Sequence, residues 1–559
     1  MKRREFVGAA IGTGIGLWAG SKQAPGRQLL SLMPAAPSPD SRIEVLIEEP
    51  IGKIAPEIYG HFAEHLGGVI YDGIWVGENS KIPNIGGIRK SLVEAMRRIR
   101  PAVIRWPGGC FADNYNWRDG IGPKAQRARR TNFWRDASEW PKDAPDGPWK
   151  YETNQFGTDD FLRFCRLVGA QPYLAANLRS LSAKDFYEWV EYCNSPAGTT
   201  TLADIRAANG DREPANVRFW GVGNEAWGCG GNFTPEEYAA EYRRFTSWVP
   251  GYGVNLAFIG SGPNGGDLDW TRRFFAKLSE RRALGSMWGW GLHHYSWNVS
   301  GGRTSDWQQG KGDAVNYRDE EWYELLSEGD RIESSITDHW TVMRESDPQH
   351  RVKLVVDEWG AWYKPGTEAN NTHLLGQQST MRDAMLAGRM LDTFHRHADK
   401  VAMANIAQLI NCLQSLFLAH EGKFVVTPTF HVFEMYAHHQ AGQSVRTIFS
   451  APRSSYPRNG QPATLRGLSG SASLHDREVV LTITNPDLKQ MRETEIVVRG
   501  AKVKTVKATT LSADDIHAHN SFDSPNVVSP RETKVTLTNN AVVHNCAPAS
   551  VTRLDITLA

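Results

Sequence analysis

The sequence has 559 residues, enough to bury a large core and to form two to four domains, or fewer if one is a large barrel. Its 63 Lys and Arg residues nearly balance its 62 Asp and Glu residues, so no basic excess indicates a nucleic-acid partner and no acidic tail indicates disorder. The chain also carries 20 Trp, 16 Tyr and 21 Phe residues, whose flat rings suit the faces of sugars as well as a hydrophobic core.

The N-terminus resembles a twin-arginine export signal. Arg3 and Arg4 adjoin, Phe6 follows, and a weakly apolar run rich in Gly and Ala extends to about Gly20. This run is too short and too rich in glycine to predict a membrane span. We therefore predict that residues 1–40 are an export signal and spacer, which would place the protein in the periplasm or outside the cell. A disordered basic N-terminus is the alternative.

Short strand patterns alternate with amphipathic helix patterns from residue 53 to residue 440. The eight strand patterns are Ile58–Phe62, Ala102–Arg105, Pro172–Ala176, Arg218–Gly223, Leu256–Gly260, Trp288–His293, Lys353–Asp357 and Val401–Asn405. The helix patterns include Asp160–Val168, Ala183–Cys193, Pro235–Trp248 and Gln377–His395. Eight such units, with no glycine-rich dinucleotide turn, predict a (β/α)8 TIM barrel of the α/β class rather than an open doubly wound sheet.

After about residue 440 the pattern changes to alternation of apolar and polar residues. It runs through Val480–Thr484, Glu495–Val498, Lys534–Thr538 and Arg553–Leu558, with turn residues between these segments. This pattern predicts an antiparallel, jelly-roll-like β-sandwich over residues 441–559. A strand within residues 41–52 is expected to join the sandwich and to bring the two ends of the chain together.

Two glutamates follow predicted barrel strands. Glu225, in WGVGNEAWG, follows the fourth strand, and Glu358, in LVVDEWGAWY, follows the seventh. Barrel active sites lie at these carboxyl ends, and two carboxylates facing each other there can hydrolyse a glycosidic bond. Either glutamate alone is also typical of a salt-bridge partner. Together they predict a glycosidase in which a cation, for which Arg105 is the candidate, keeps Glu358 ionised.

Six segments in order make the resemblance specific. They are IYGHFAEHLGG, IRWPGGCFADNYNWRDGIGP, WGVGNEAWGCGG, GLHHYS, VVDEWGAWY and MANIAQLINCLQ. From about Ile54 to its end the chain resembles the α-L-arabinofuranosidases of glycoside hydrolase family 51. The resemblance implies release of terminal α-L-arabinofuranose with retention, with Glu225 as acid/base and Glu358 as nucleophile. It also implies an arabinofuranosyl oligosaccharide or polysaccharide as substrate, no cofactor and no metal, and oligomers are common in the family.

The resemblance also implies residues that bind the sugar. Asn224 is expected to bond the hydroxyl next to C1, Tyr295 to orient Glu358, and Glu64 and Gln408 to bind further hydroxyls. His293 is expected on the floor of the same pocket. For Asn224 and Gln408 the alternative is capping of a strand end.

Cys110 and Trp359 complete the predicted binding residues. Cys110 follows the Gly108-Gly109 pair, where some members of the family carry Asn, and a thiol is a weak partner for a hydroxyl. The six cysteines form no C-x-x-C pair and do not predict a disulfide framework. Trp359 lies beside the nucleophile and is expected to contact the sugar or wall the pocket, as are Trp117, Trp297 and Trp362.

A metal site is the main competing interpretation. His61, Glu64 and His65 form an H-x-x-E-H spacing that some zinc hydrolases use, and that motif requires both histidines on one face of a helix. Gly60 before the motif and Gly67-Gly68 after it leave room for only a marginal helix. We therefore expect the two histidines to orient Glu64 instead. The sequence also leaves open an endo-acting glucanase or xylanase, and a carbohydrate-binding protein without catalysis.

Overall fold

The structure is a computed structural model that describes residues 39–134, 150–298, 311–369, 373–538 and 540–559. The predicted export segment therefore lies outside the described residues, except for its last two positions. Among the described helices, none is both long and apolar enough to cross a membrane.

A closed barrel of eight parallel strands forms the centre of the protein. In chain order the barrel strands are Gly60–Phe62, Val103–Trp106, Gln171–Ala176, Phe219–Val222, Ala257–Gly260, Met287–Ser296, Lys353–Ala361 and Val401–Ala407. The eighth strand pairs with the first, which closes the barrel. The predicted (β/α)8 barrel is thus confirmed, with strand ends that differ from the sequence patterns by a few residues.

The described residues include ten α-helices, several of which begin at a side-chain cap. They span Lys90–Ile99, Thr158–Val168, Ala183–Asn194, Thr201–Ala208, Pro235–Thr246, Leu268–Ser279, Asp319–Asp330, Ile332–Met343, Met381–Arg396 and Pro428–Tyr436. Ser182 and Thr234, for example, each accept a hydrogen bond from the backbone N–H three residues on, and Pro235 fits the first helical position. The fourth barrel strand and the fifth are buried along their whole length, as expected for a parallel sheet covered by helices.

Side chains from several strands fill the interior of the barrel. They form one apolar cluster of Val103, Tyr173, Phe219, Ala257, Ile259, Val355 and Met403. This packing makes the barrel a solid core rather than a pore, so chemistry is confined to its carboxyl-terminal face.

A sheet of ten strands lies outside the barrel. Its members are Ser41–Lys53, Gln443–Ser450, Ser469–His475, Glu478–Asn485, Arg492–Arg499, Val503–Leu511, Arg531–Thr533, Val535–Thr538, Ala541–Cys546 and Ser550–Leu558. The N-terminal strand lies in this sheet, antiparallel to Gln443–Ser450. Its other neighbour, Arg492–Arg499, runs parallel to it, whereas the described strands within residues 441–559 pair antiparallel with one another, as predicted. The domain bounds stay a prediction.

Helix Met381–Arg396 packs against the ten-stranded sheet and is almost entirely buried. Its Asp392 is fully buried and accepts hydrogen bonds from the hydroxyls of Ser471 (2.7 Å), Thr482 (2.5 Å) and Tyr436 (3.0 Å). Buried carboxylates are tolerated only when such donors replace water. Asp392 therefore fastens a barrel helix to the sheet.

We expect the Asp392→Ala variant to unfold about 2–3 °C below the wild type. Three buried hydroxyls would lose their acceptor, at a cost of about 3 kcal/mol, and the shift is small because the chain is long. Differential scanning fluorimetry at one fixed heating rate measures it, since a protein of this size unfolds irreversibly. The matched control is Asp338→Ala, an exposed helical aspartate. Equal melting temperatures for the two variants would contradict this assignment.

Candidate active site

Glu358 lies at the carboxyl end of the seventh barrel strand and is buried. One carboxylate oxygen accepts a hydrogen bond from Arg105 Nη1 at 2.7 Å, and the other accepts one from the Tyr295 hydroxyl at 2.7 Å. Burial and the charge of Glu358 raise the pKa of Tyr295 well above 10, so its hydroxyl keeps its proton as a donor. The structure thus brings together Glu358 with the predicted cation and the predicted orienting residue.

Glu225 faces Glu358 from the loop that follows the fourth strand. One carboxylate oxygen of each lies within 4.8 Å of the other, with the His293 imidazole beside both. Glu225 has a positive φ of 38°, which is uncommon for a residue with a side chain and is typical of strained functional positions. This separation fits the short spacing of retaining glycosidases, about 5–5.5 Å, rather than the wider gap of inverting ones.

His293 connects three carboxylates. Its Nδ1 lies 3.0 Å from Glu225 and 3.5 Å from Glu358, and its Nε2 lies 3.3 Å from Asp357. Burial alone would lower the pKa of His293, but the charges of Glu358 and Asp357 and its hydrogen bonds raise it well above 6.5. The direction of this shift favours the protonated imidazole, which places a positive charge between the two predicted catalytic groups.

Arg105 also fixes the orientation of Asn224. Its Nη2 donates to Asn224 Oδ1 at 2.6 Å, so the Asn224 amide N–H groups point away from Arg105. The guanidinium lies 4.6 Å from the ring centre of Phe62 and is almost completely buried. Burial alone would lower the pKa of Arg105. The negative charges of Asp357 and Glu358 outweigh burial and raise the pKa above its usual value, so the guanidinium remains charged.

Glu64 and Gln408 form a second polar pair in the pocket. Gln408 Nε2 donates to Glu64 Oε2 at 3.0 Å, and the backbone N–H of Gly109 donates to Glu64 Oε1 at 2.8 Å. Burial and the charge of Glu358 raise the pKa of Glu64 to about 7, although the N–H groups of Phe111 and Gly109 lower it. The glycine pair is required here, because a Cβ on Gly109 would lie 2.8 Å from Glu358 and one on Gly108 2.7 Å from Glu64.

The H-x-x-E-H residues do not form the convergent set that a zinc hydrolase needs. The His61 ring packs against Phe433, with ring centres 5.3 Å apart, and burial lowers its pKa to about 3. His65 Nδ1 lies 2.7 Å from Glu152 instead. The prediction that the two histidines orient Glu64 is wrong as well, because Gln408 and loop N–H groups hold that carboxylate.

Cys110 forms a disulfide with Cys229 and so carries no thiol. Its Sγ lies 3.9 Å from Glu225 Oε2, and that of Cys229 lies 3.6 Å from the same oxygen. The bond joins the loops after the second and fourth barrel strands. A thiol contact between Cys110 and the sugar is therefore excluded in this state, whereas van der Waals contact stays a prediction.

Trp359 does not lie in the pocket, and its predicted contact with the sugar is wrong. It is fully buried and packs against Phe394 and Phe433. Trp359 thus faces the surrounding helices, whereas the neighbouring Glu358 faces the pocket, where Arg105 and Tyr295 hold it. Trp117 is likewise buried against Trp189.

Trp362, in the VVDEWGAWY segment, contacts the tyrosine that holds Glu358. It lies edge-on to Tyr295, with ring centres 5.1 Å apart, and Lys311 Nζ lies 3.7 Å from its ring centre. Lys311 also lies 4.9 Å from the ring centre of Trp297. That Trp362 walls the pocket stays a prediction, supported by its contact with the tyrosine that holds Glu358.

Asp113 is a supporting residue that the sequence pattern did not single out. Its carboxylate accepts hydrogen bonds from the backbone N–H groups of Asn224 (3.0 Å) and Leu178 (2.7 Å), and so fixes the loop before Glu225. These hydrogen bonds lower the pKa of Asp113, but burial outweighs them and raises it to about 7. Its position in the PGGCFAD segment, close after the glycine pair, is the only signal that pointed to it.

Two family models match the chain. Residues 95–300 match the α-L-arabinofuranosidase 1 domain, and residues 357–550 match the α-L-arabinofuranosidase C-terminal domain. The first match contains Asn224 and Glu225, and the second contains Glu358 and Gln408.

Relatives and solved structures agree with these models. The chain is 36% identical to an intracellular exo-α-L-arabinofuranosidase of Bacteroides ovatus, over 90% of this chain and 93% of that protein. It is 27% identical to intracellular exo-α-(1→5)-L-arabinofuranosidase 1 of Bacillus subtilis (strain 168), over 91% and 97%. The crystal structure of the family 51 arabinofuranosidase of Xanthomonas axonopodis pv. citri superposes with a TM-score of 0.83 at 34% identity, covering 92% of this chain and all of that one.

The names of the two relatives contradict the prediction of export, because both are described as intracellular enzymes. Paired arginines before a short apolar run are a weak pattern, and here they led to a wrong prediction.

The barrel, the facing carboxylates, the matched domains and the 36% identity over nine tenths of the chain lead to one conclusion. The chain belongs to the α-L-arabinofuranosidases of glycoside hydrolase family 51.

Proposed function

We propose that the protein releases terminal non-reducing α-L-arabinofuranosyl residues by double displacement, with Glu358 as nucleophile and Glu225 as acid/base. The observation that carries this assignment is the approach of the two carboxylates to within 4.8 Å, in different surroundings. Glu358 is buried with Arg105 and Tyr295 as donors, whereas Glu225 is more exposed. A buried carboxylate with a fixed cation suits a nucleophile that must stay ionised.

In the first step Glu358 attacks C1 of the furanose and the bond from C1 to the leaving oxygen breaks. Glu225 gives its proton to that oxygen, so the leaving alcohol departs neutral and a glycosyl-enzyme ester forms on Glu358. Arg105 and Tyr295 each hold one oxygen of Glu358 and fix the carboxylate for attack. His293 hydrogen-bonds Glu225 and balances the negative charge of the site.

In the second step Glu225, now ionised, removes a proton from water. The water oxygen attacks C1, the ester bond to Glu358 breaks, and arabinose is released with its original anomeric configuration. The two displacements restore both carboxyl groups to their starting protonation states.

The polar groups around the two carboxylates suit a furanose. Because Asn224 Oδ1 is bonded to Arg105, its amide N–H is the group that can donate to the hydroxyl next to C1. Contacts at that hydroxyl strengthen in the transition state. Glu64 and Gln408, bonded to each other, present their remaining oxygen and N–H positions to hydroxyls farther from C1.

The substrate is an arabinofuranosyl oligosaccharide or polysaccharide attacked from its end. Both named relatives are described as exo-acting, which supports terminal release over endo-acting cleavage by a glucanase or xylanase. The preferred polymer and the oligomeric state stay predictions from the family resemblance.

The two carboxylates can be told apart by azide. We expect Glu358→Ala to lose about four or more decades of kcat on an aryl α-L-arabinofuranoside, or at least about 5.5 kcal/mol of transition-state stabilisation. Azide added to Glu225→Ala should restore turnover and give the arabinosyl azide with retained configuration, because azide then attacks the glycosyl-enzyme. With Glu358→Ala, any azide product should be inverted. Rates and product configuration are followed by absorbance and proton NMR.

The matched control is Glu94→Ala, an exposed helical glutamate, which should keep wild-type rates. Full activity in Glu358→Ala, or a retained azide product from that variant, would overturn the assignment.

His293→Gln should move both limbs of the pH profile of kcat/KM to higher pH by about one unit. Loss of the imidazolium removes a positive charge that lies between the two carboxylates, and a nearby positive charge favours the ionised form of an acid, so both limbs should move in the same direction.

His294→Gln is the control, since its side chain lies on the other face of the same strand and contacts the backbone oxygen of Glu328. An unchanged profile in His293→Gln, or the same shift in His294→Gln, would show that the positive charge on His293 has no such effect.

A further inference from the structure

A cluster of metal-ligating side chains lies outside the catalytic pair. Asp72 belongs to the segment between the first barrel strand and helix Lys90–Ile99, His373 precedes helix Met381–Arg396, and His420 ends the short strand Phe417–His420. One ligand atom of each lies within 4.8 Å of the others. Three separate segments of the chain thus bring two imidazoles and one carboxylate close together.

We propose that Asp72, His373 and His420 bind a divalent transition-metal ion of the zinc type, and that this ion fastens three segments of the chain together. Imidazole and carboxylate ligands of this number leave a further coordination position for water. Nothing in the proposed glycosidase mechanism uses these residues.

The two distances from Asp72 to the imidazoles are close to those between neighbouring ligands around one small ion. Asp72 Oδ2 lies 3.2 Å from His373 Nε2 and 3.0 Å from His420 Nδ1. For tetrahedral zinc with bonds of about 2.0–2.1 Å, neighbouring ligand atoms lie about 3.3 Å apart. The two imidazole rings are nearly perpendicular, at 81°, with centres 5.6 Å apart, so both approach the same oxygen without stacking.

The second carboxylate oxygen of Asp72 is already held in place. The backbone N–H of Glu421 donates to Oδ1 at 2.8 Å, and Arg89 Nη2 lies 3.3 Å from the same atom. Such outer contacts orient a ligating carboxylate and are a regular feature of metal sites. They leave Oδ2 as the oxygen that faces the histidines.

The site is accessible to solvent, and its residues are also held in place by their neighbours. The side chains of Asp72 and His420 are 26% and 37% exposed, so an ion can enter from solvent. His373 packs on Gly68, where an added Cβ would lie 2.5 Å from its Nδ1. Asp72 has a positive φ of 69°, an uncommon backbone conformation that persists where surrounding structure requires it. A bound ion would hold the segment that begins at Glu64 against the loop before helix Met381–Arg396.

The competing explanation is a cluster of ion pairs, in which protonated histidines simply neutralise Asp72. Zinc content distinguishes the two. Untagged full-length protein is stripped with a chelator, incubated with a small molar excess of zinc, desalted and analysed by elemental mass spectrometry. We expect one zinc per chain in the wild type and almost none in His373→Ala or His420→Gln. Zinc should also raise the wild-type melting temperature by about 2 °C at a free concentration 100 times its Kd.

His438→Ala is the matched control. His438 is 49% exposed and lies 3.8 Å from Asp555, and the two belong to no group of three converging metal-ligating atoms among the described residues. This variant should keep one zinc per chain and the melting shift.

The proposal is overturned if the wild type retains no zinc. It is also overturned if the variants retain as much zinc as the wild type, because that result would place the zinc elsewhere, for example at the catalytic carboxylates. If the histidine variants fail to fold, Asp72→Asn and a cobalt titration of the wild type decide the matter. Cobalt should give a visible d–d absorption band that zinc abolishes, and Asp72→Asn should lack it.

Discussion

The buried ion pair between Arg105 and Glu358 is the interaction on which the rest of the site depends. Removing a carboxylate from water is costly unless a cation and hydrogen-bond donors replace the solvent. Arg105, on the second barrel strand, supplies a 2.7 Å contact with Glu358 on the seventh and a 2.6 Å contact with Asn224 after the fourth. A single guanidinium thereby sets the position of the nucleophile and of the residue expected to bind the adjacent hydroxyl.

The same charge explains the arrangement around it. With Arg105 and the protonated His293 inside the pocket, Glu358, Asp357 and Glu225 can lie close together without prohibitive repulsion. Burial would raise the pKa of Asp357, but these two cations hold it below its usual range. Tyr173, whose hydroxyl donates to Asp357 at 3.2 Å, extends the network into the barrel interior. The catalytic pair therefore rests on a charge balance built into the barrel strands.

Much of this could be predicted from sequence because it depends on local pattern. Short apolar runs located the barrel strands, and Glu225 and Glu358 followed from their places at strand ends. The disulfide could not be predicted, since Cys110 and Cys229 are separated by 119 residues and meet only after the barrel closes. Trp359 was misassigned because proximity in sequence to the nucleophile is not proximity in space along a strand. The parallel pairing of Ser41–Lys53 likewise depends on long-range topology that residue alternation does not encode.

The central claim is that Glu358 forms a covalent bond to arabinose. The most direct measurement uses Glu225→Ala, in which the second step is slow, with an aryl α-L-arabinofuranoside that carries a good leaving group. Rapid quenching, digestion and mass spectrometry should find one arabinosyl group on the peptide that contains Glu358. An unmodified Glu358 peptide during steady turnover, or an adduct on another residue, would contradict the account.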